Sequence, residues 1–507
     1  MGAAGSALTS RRDPVERPDN PSTDVEDRAH ARFLWTIAGL AVAVLWIRPI
    51  ASSLWTDELG TWWAISGTAR QAVQRAEAVQ GQSPLYYLVA WAARHVTGSS
   101  EIGLRAPALI CCLVAAYLLY RIATRLVDAE TGRVAVVVFA LWPSIAFAAS
   151  DARPYPLAIL ASIASVWALI RWVDAPSLPR AAAYVVLAAL VPWVHPLFGL
   201  VLIPEAVYAV MRIRDGSTTV RPRAFVVIEI VIAALIVPIG LEILALWGRH
   251  DDWLIPNPLT VPWITQMLVP PALVGAAVIG GIIAGPRLRI GSDVRRLPAS
   301  TITLLVTWFA VPAGVLVGIA IVTPVRLIMA RYLLCAVPGG VLLAALAIRS
   351  IDPPRARRIV VLVFAILAIV DFASPWKSGD MRGAAAAVRS VADGDTVVLI
   401  DGRFQESMEP TWYTDPEKQG LLTAPTSYYP VPGRVVPLPV NLTTHDIDFF
   451  RSRVETALVG EDHAVVVGET GSSYWPWFDE YMHEHGWSST PVATVSLFSV
   501  VEYRRDG

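Results

Sequence analysis

Residues 33–58 read FLWTIAGLAVAVLWIRPIASSLWTDE. Positions 33–53 form an apolar run that meets the length of about 20 residues a helix needs to cross a hydrocarbon core. It ends on Trp55-Thr56-Asp57-Glu58, which sets two adjacent carboxylates at an apolar boundary. Such groups are costly to desolvate unless they have partners or a chemical role. A solvated loop acid is the plain alternative.

The rest of the chain repeats the first half of that pattern. Further apolar runs occur at 103–122, 134–150, 155–173, 181–194, 197–213, 224–247, 271–286, 300–322, 327–348 and 358–373. They predict a polytopic α-helical membrane protein with about eleven transmembrane helices. Composition agrees: 55% of the 507 residues are hydrophobic and 16% charged, against roughly 25% charged in soluble domains. Nineteen tryptophans suit membrane interfaces, and a net charge of -1 argues against nucleic acid as partner. Cys111, Cys112 and Cys335 all lie in apolar runs, so no disulfide framework is implied.

Arginine sets the orientation, because short cytoplasmic loops collect Lys and Arg. With the N-terminus inside, the inner loops hold Arg121, Arg125 and Arg133, then Arg171 and Arg180, then Arg212, Arg214, Arg221 and Arg223. Arg287, Arg289, Arg295 and Arg296 follow, and then Arg349, Arg355, Arg357 and Arg358. Residues 1–32, rich in Arg, Pro, Asp and Ser, read as a disordered cytoplasmic tail. The expected location is the cytoplasmic membrane, with residues 33–373 as the transmembrane unit. Pro84–Thr97 is short and amphipathic and is placed along the outer interface, within a long first external loop over 54–102.

After Ser374 the composition becomes that of a soluble domain. Residues 374–507 predict an extracytoplasmic α/β domain. Its elements are a helix near Met381–Val391, a β run at Thr396–Asp401, a helix from about Thr444 through Val454, a β run at Ala464–Val467, a helix around Trp477–His485 and one terminal strand near Val492–Tyr503. No phosphate-binding glycine fingerprint and no metal-spaced His or Cys cluster is found in it.

Several polar residues fall at the outer ends of spans. Arg153, in Ser150-Asp151-Ala152-Arg153-Pro154-Tyr155, lies on an external turn where the positive-inside rule disfavours it. Its guanidinium suits a phosphate or a carboxylate, with snorkelling to headgroups as the alternative. Arg331-Tyr332-Leu333-Leu334 repeats the pattern, with Arg326 nearby. His195, at an outer helix junction, reads either as a sugar or phosphate contact or as a satisfied polar residue. Asp251 and Asp252 read either as a hold for an acceptor or cation or as a solvated loop.

Taken together, these motifs resemble the GT-C glycosyltransferases of the family 39-like group, related to protein O-mannosyltransferases and lipid A aminoarabinose transferases. The likeness rests on Asp57-Glu58, Ser83-Pro84-Leu85-Tyr86-Tyr87, Arg105-Ala106-Pro107, Ala152-Arg153-Pro154-Tyr155 and Arg331-Tyr332-Leu333-Leu334. It implies a polyprenyl-phosphate-linked sugar donor, a lipid, glycan or protein acceptor on the outer face, and inversion at the anomeric carbon. Asp57 matches the family's catalytic carboxylate and Glu58 its neighbour, while Arg153, Arg331 and Tyr155 are candidates for the donor phosphate. Tyr86, Gln82 and His195 are candidate substrate contacts, as are Asp251 and Asp252. Gln82-Ser83-Pro84-Leu85 departs from the family's usual His-Pro-Pro-Leu. No protein metal site is expected, and a divalent cation as cofactor is left open. A transporter or flippase for a glycolipid also needs many spans, but here these carry few charges beyond Glu205, Glu229 and Glu242. A non-catalytic membrane scaffold is the third alternative.

Overall fold

The computed structural model describes residues 21–77, 84–247, 260–284, 289–290, 297–323, 328–372, 379–440, 447–471 and 474–506. The chain is a multi-pass helical protein with a small C-terminal α/β unit. Among the described residues, six helices are long and apolar enough to span a bilayer, or up to eight if each of two bent pairs counts as one span. Leu178–Val194 and Val337–Arg349 are shorter apolar helices, and Pro354–Phe372 is a further helix of 19 residues.

Two expectations change in the membrane part. The run 134–150 is not one straight span: Ala129–Leu141 and Pro143–Ala149 meet at 71°. Pro143 has no N–H to continue the ladder, and Trp142 before it is extended, as residues preceding proline prefer. Residues 21–32 are also not disordered, because a helix runs from Pro21 to Ala41. Its buried His30 bonds Glu130 at 3.1 Å.

Glu130 also pairs with Arg357 and, at 3.0 Å, with Arg349. Asp174 joins Arg125 at 2.8 Å and Arg212 at 3.1 Å. Arginines from three of the basic loops thus share carboxylates at one end of the bundle. Pro84–Thr97 forms the predicted juxtamembrane helix at the other end, packed on the Thr56–Ile65 and Glu101–Leu126 helices.

Strands β1 (Arg289–Ile290) and β2 (Ile351–Asp352) form a two-residue antiparallel pair. The C-terminal unit holds a five-stranded sheet of β3 (Val397–Asp401), β4 (Arg434–Leu438), β5 (His463–Glu469), β6 (Trp487–Val495) and β7 (Phe498–Arg505), in the order β4-β3-β5-β7-β6. β3 is parallel to both neighbours and buried along its whole length. Val397 and Leu399 face a core with Phe450, Val454 and Phe478. Val398 and Ile400 face the opposite way, into a cluster with Leu54, Leu59 and Trp63 of the membrane unit. The helices Met381–Val391, Ile447–Leu458 and Tyr474–Glu484 fall where the sequence places them.

The single terminal strand expected over Val492–Tyr503 is instead an antiparallel hairpin turning at Ser496, which adopts a left-handed φ of 55°. β4, absent from the sequence reading, contains Pro437. Proline is tolerated there because β4 is an edge strand.

The two units are pinned together around the Thr56–Ile65 helix. The Tyr429 hydroxyl accepts the Leu54 amide at 2.9 Å, and Arg75 bonds Glu417 at 2.6 Å. Gly420 approaches so closely that a Cβ there would sit 2.6 Å from Trp63 Nε1.

Burial pushes the Asp401 carboxyl, at the C-terminal end of β3, up to about 7, against the opposing amide bond from Arg403 at 2.7 Å. Between about pH 4 and 7 the unfolded chain therefore binds fewer protons at this position than the folded one, so the contribution to stability falls as pH rises. Melting temperatures of the full-length protein in detergent should drop more steeply from pH 4 to pH 8 in wild type than in Asp401→Asn. Equal slopes would refute the assignment.

Candidate active site

The Thr56–Ile65 helix begins with the two acids, and the structure sends them in different directions. Glu58 has no exposed surface. Its Oε1 accepts Arg105 Nε at 2.6 Å and the Ala152 amide at 2.9 Å, and its Oε2 takes a second Arg105 nitrogen and the Trp55 amide. Arg105 is equally buried and donates onward to the carbonyls of Ile50 at 3.1 Å, Ser52 at 2.6 Å and Ser53 at 2.9 Å. One guanidinium therefore ties the end of the first span, the start of the acidic helix and the Glu101–Leu126 helix together.

Asp57, one position earlier, faces the other way and its side chain stays 27% exposed. Arg331 Nη1 donates to its Oδ2 at 2.8 Å, and Arg153 Nη2 lies 3.9 Å from the same oxygen. Arg153 also donates to the Asp57 carbonyl at 3.3 Å. The turn bearing Arg153 is held by its neighbour: Asp151, fully buried, accepts Trp55 Nε1 at 2.8 Å. Tyr87 is buried within bonding reach of Arg153 and Thr61, and burial raises its hydroxyl pKa.

Tyr155 packs on His195 with ring centroids 5.3 Å apart, and Tyr332 lies 6.4 Å from the same imidazole. Arg331 sits over the Tyr332 ring at 5.2 Å. Among the described residues, Arg331 Nε and His195 Nδ1 are buried without a hydrogen-bond partner. Tyr86 lines a cleft with Thr61 and Arg153 at its polar end and Leu104, Pro107, Cys111 and Leu157 along its apolar walls.

Of the residues singled out in the sequence, Asp57, Arg153, Arg331, Tyr155 and His195 come together, Tyr86 lies beside them, and Glu58 stands behind the site. Gln82, Asp251, Asp252 and Arg326 lie outside the described residues. Tyr87, Thr61, Tyr332 and Asp151 belong to the constellation but were not chosen. Each sat in or near a quoted motif, and only the helix phase in space separates Tyr87 from Tyr86. Among the described residues, no group of three or more His, Cys, Asp or Glu is placed to hold a metal ion.

A search among solved structures finds ArnT from Cupriavidus metallidurans in the apo state, 12% identical with a TM-score of 0.51, covering 94% of this chain and 98% of that one. The same protein bound to undecaprenyl phosphate matches at 11% identity and a TM-score of 0.50, covering 92% and 97%. The fold is the GT-C fold. The oligosaccharyltransferase of Archaeoglobus fulgidus is also found, at 11% identity and a TM-score of 0.49, covering 87% of this chain and 69% of its own. A family model described as dolichyl-phosphate-mannose-protein mannosyltransferase matches residues 81–241, which take in the juxtamembrane helix and the Arg153 turn. No curated protein sequence matches the chain.

Removing one member of a buried ion pair strands the other charge and costs about 3–5 kcal/mol, whereas replacing both with apolar groups is often far milder. Arg105→Met should therefore lower thermal stability in detergent markedly. The double variant Arg105→Met with Glu58→Leu should recover much of the loss. A double variant less stable than the single would show that the pair contributes by itself.

Proposed function

We propose that this chain is an inverting glycosyltransferase that moves a sugar from a polyprenyl-phosphate-linked donor to an acceptor hydroxyl at the outer face of the cytoplasmic membrane. The observation that carries the reading is the convergence of Asp57, Arg153 and Arg331, drawn from three separate segments, with Arg153 also lining the adjoining cleft. ArnT, which shares the fold, has been solved with undecaprenyl phosphate bound. The polar-ended, apolar-walled cleft beside Arg153 suits a phosphate with a prenyl tail.

The chemistry follows from the geometry. The acceptor oxygen bonds to the anomeric carbon as its proton passes to Asp57, and the bond from that carbon to the donor phosphate oxygen breaks. The lipid phosphate leaves as a stable anion, so no strong general acid is needed. Arg153 and Arg331 are the groups that would hold the phosphate, whose negative charge grows as it departs. They also bond Asp57, so the same guanidiniums are shared between base and leaving group. As the phosphate gains charge it draws the guanidiniums, which loosens their hold on Asp57 as the acceptor proton arrives. Glu58 is assigned a positioning role, since its carboxylate is fully committed to Arg105 and two amides. Tyr155 and His195 form the wall behind Arg331, with His195 Nδ1 open to a sugar hydroxyl or a phosphate oxygen.

The orientation rests on charge. The basic loops gather at the end of the bundle away from Asp57, as expected if that end is cytoplasmic. The α/β unit, which packs on the Asp57 helix, then lies outside.

The test is product formation by the purified full-length protein in lipid nanodiscs, given a panel of polyprenyl-phosphate sugars and hydroxyl acceptors and read by mass spectrometry. Asp57→Asn should lower kcat by about 10²–10⁴, the usual contribution of a positioned base. Arg331→Ala should raise the donor KM and lower kcat, with Arg331→Lys recovering little because the planar fork is lost. Undiminished turnover by Asp57→Asn would remove the base assignment. Flux of a glycolipid across proteoliposomes without covalent product would replace the transferase reading with a transporter.

A further inference from the structure

Beyond the three groups from the membrane unit, the C-terminal unit also reaches the site. The segment after β3 leaves the C-terminal end of a strand whose parallel neighbours, β4 and β5, lie on opposite sides of it. Open α/β sheets form a crevice at such a point, and loops at that edge are where they present functional groups. Here the loop is fixed on both flanks. Arg403 pairs with Glu469 at 3.1 Å, and buried Phe404 packs in the cluster that includes Leu54 and Leu59, on either side of Asp57 in sequence. Ser407, almost fully buried, accepts the Val440 amide at 2.9 Å through Oγ and the Tyr413 hydroxyl at 2.8 Å through its carbonyl. Glu406 lies between these anchors.

The carboxylate of Glu406 is close enough to Asp57 and Arg153 to feel the charge of both, and among the described residues the one hydrogen bond it receives is from its own amide. Folding therefore places a second acid beside Asp57 without using it as a strut. Burial, together with the nearby Asp57 charge, pushes its pKa up, whereas Arg153 opposes this. A carboxylate offers two acceptor oxygens to a hydroxyl-rich partner. The guanidiniums of Arg153 and Arg331 suit the donor phosphate, which leaves the acceptor as the partner for the Glu406 carboxyl.

On the transferase reading above, we propose that Glu406 is a positioning residue contributed by the C-terminal unit, which binds a hydroxyl of the acceptor and aligns its attacking oxygen with Asp57. The α/β unit then completes the active site instead of capping it. Acceptors bearing a second hydroxyl near the attacking one, such as sugars or polyols, are the class it would favour.

The experiment compares full-length wild type, Glu406→Gln, Glu406→Asp and the exposed neighbour Glu409→Gln in nanodiscs, with one polyprenyl-phosphate sugar that wild type turns over. For Glu406→Gln the acceptor KM should rise about tenfold, the size of one lost hydrogen bond to a charged group. Its donor KM and kcat should stay within about twofold and its melting temperature should be unchanged, since no fold contact is removed. The acceptor kcat/KM should also lose one limb of its pH profile. Glu406→Asp should recover part of the loss and Glu409→Gln should match wild type. An unchanged acceptor KM in Glu406→Gln, or a loss that follows a lowered melting temperature, would overturn the proposal and leave the transferase reading intact. Wild type inactive with every donor would overturn both.

Discussion

The fully buried Glu58–Arg105 pair is the constraint on which the site depends. Two opposite charges in a water-excluded setting are tolerated only when every remaining lone pair and N–H is engaged. Here two backbone amides, four carbonyls and the Ser52 hydroxyl complete the set. The consequence is geometric. With Glu58 locked inward at the first turn of its helix, the residue before it is turned by about 100° about the helix axis, and Asp57 is carried to the open side. A costly burial on one side of the backbone thus fixes the placement of Asp57 on the other.

A second constraint acts from above. The Thr56–Ile65 helix is short and borders the long loop, so its own backbone bonds would hold it poorly. The C-terminal unit supplies what is missing: Tyr429 on the Leu54 amide, Arg75 on Glu417, and the close seat of Trp63 against Gly420. The inner face of the sheet and the acidic helix share one apolar cluster, so the two units cannot slide on each other without exposing it. The opposite end of the bundle is stitched by shared carboxylates, Glu130 and Asp174, among arginines of separate loops. Rigidity is therefore built at both ends, and the cleft lies where the membrane helices meet the upper clamp.

Much of this was readable in the sequence, because long apolar runs and basic loops are averages over many residues. The multi-pass helical character, the Pro84–Thr97 helix and the helices of the α/β unit came through for that reason, whereas the eleven expected spans become six to eight among the described residues. What failed depended on single residues. Pro143 breaks a span that hydropathy alone reads as continuous. The hairpin at Ser496 has no glycine or asparagine to mark its turn, and Pro437 disguises an edge strand. Within the site, Asp57, Arg153 and Arg331 stood out because charge at a membrane boundary is rare. Glu58 looked like their equal, since sequence shows adjacency but not which way a helix is turned. Tyr87 was hidden by an identical neighbour, and Glu406 by a domain in which carboxylates are common.

The pattern of charge around Asp57 also explains why one carboxylate is not enough in this cavity. Arg153 and Arg331 bring two positive charges against one negative, in surroundings where unbalanced charge is expensive. Like-charged guanidiniums stay close only if anions separate them, and Asp57 Oδ2 bridges them in the structure. On the transferase reading proposed above, a donor phosphate would share the same forks. It also loosens the hold on Asp57, since each guanidinium has a limited number of N–H groups to share. On that reading, the hold on Asp57 depends on whether donor phosphate is present. Such sharing needs no moving lid, only two forks divided between two anions.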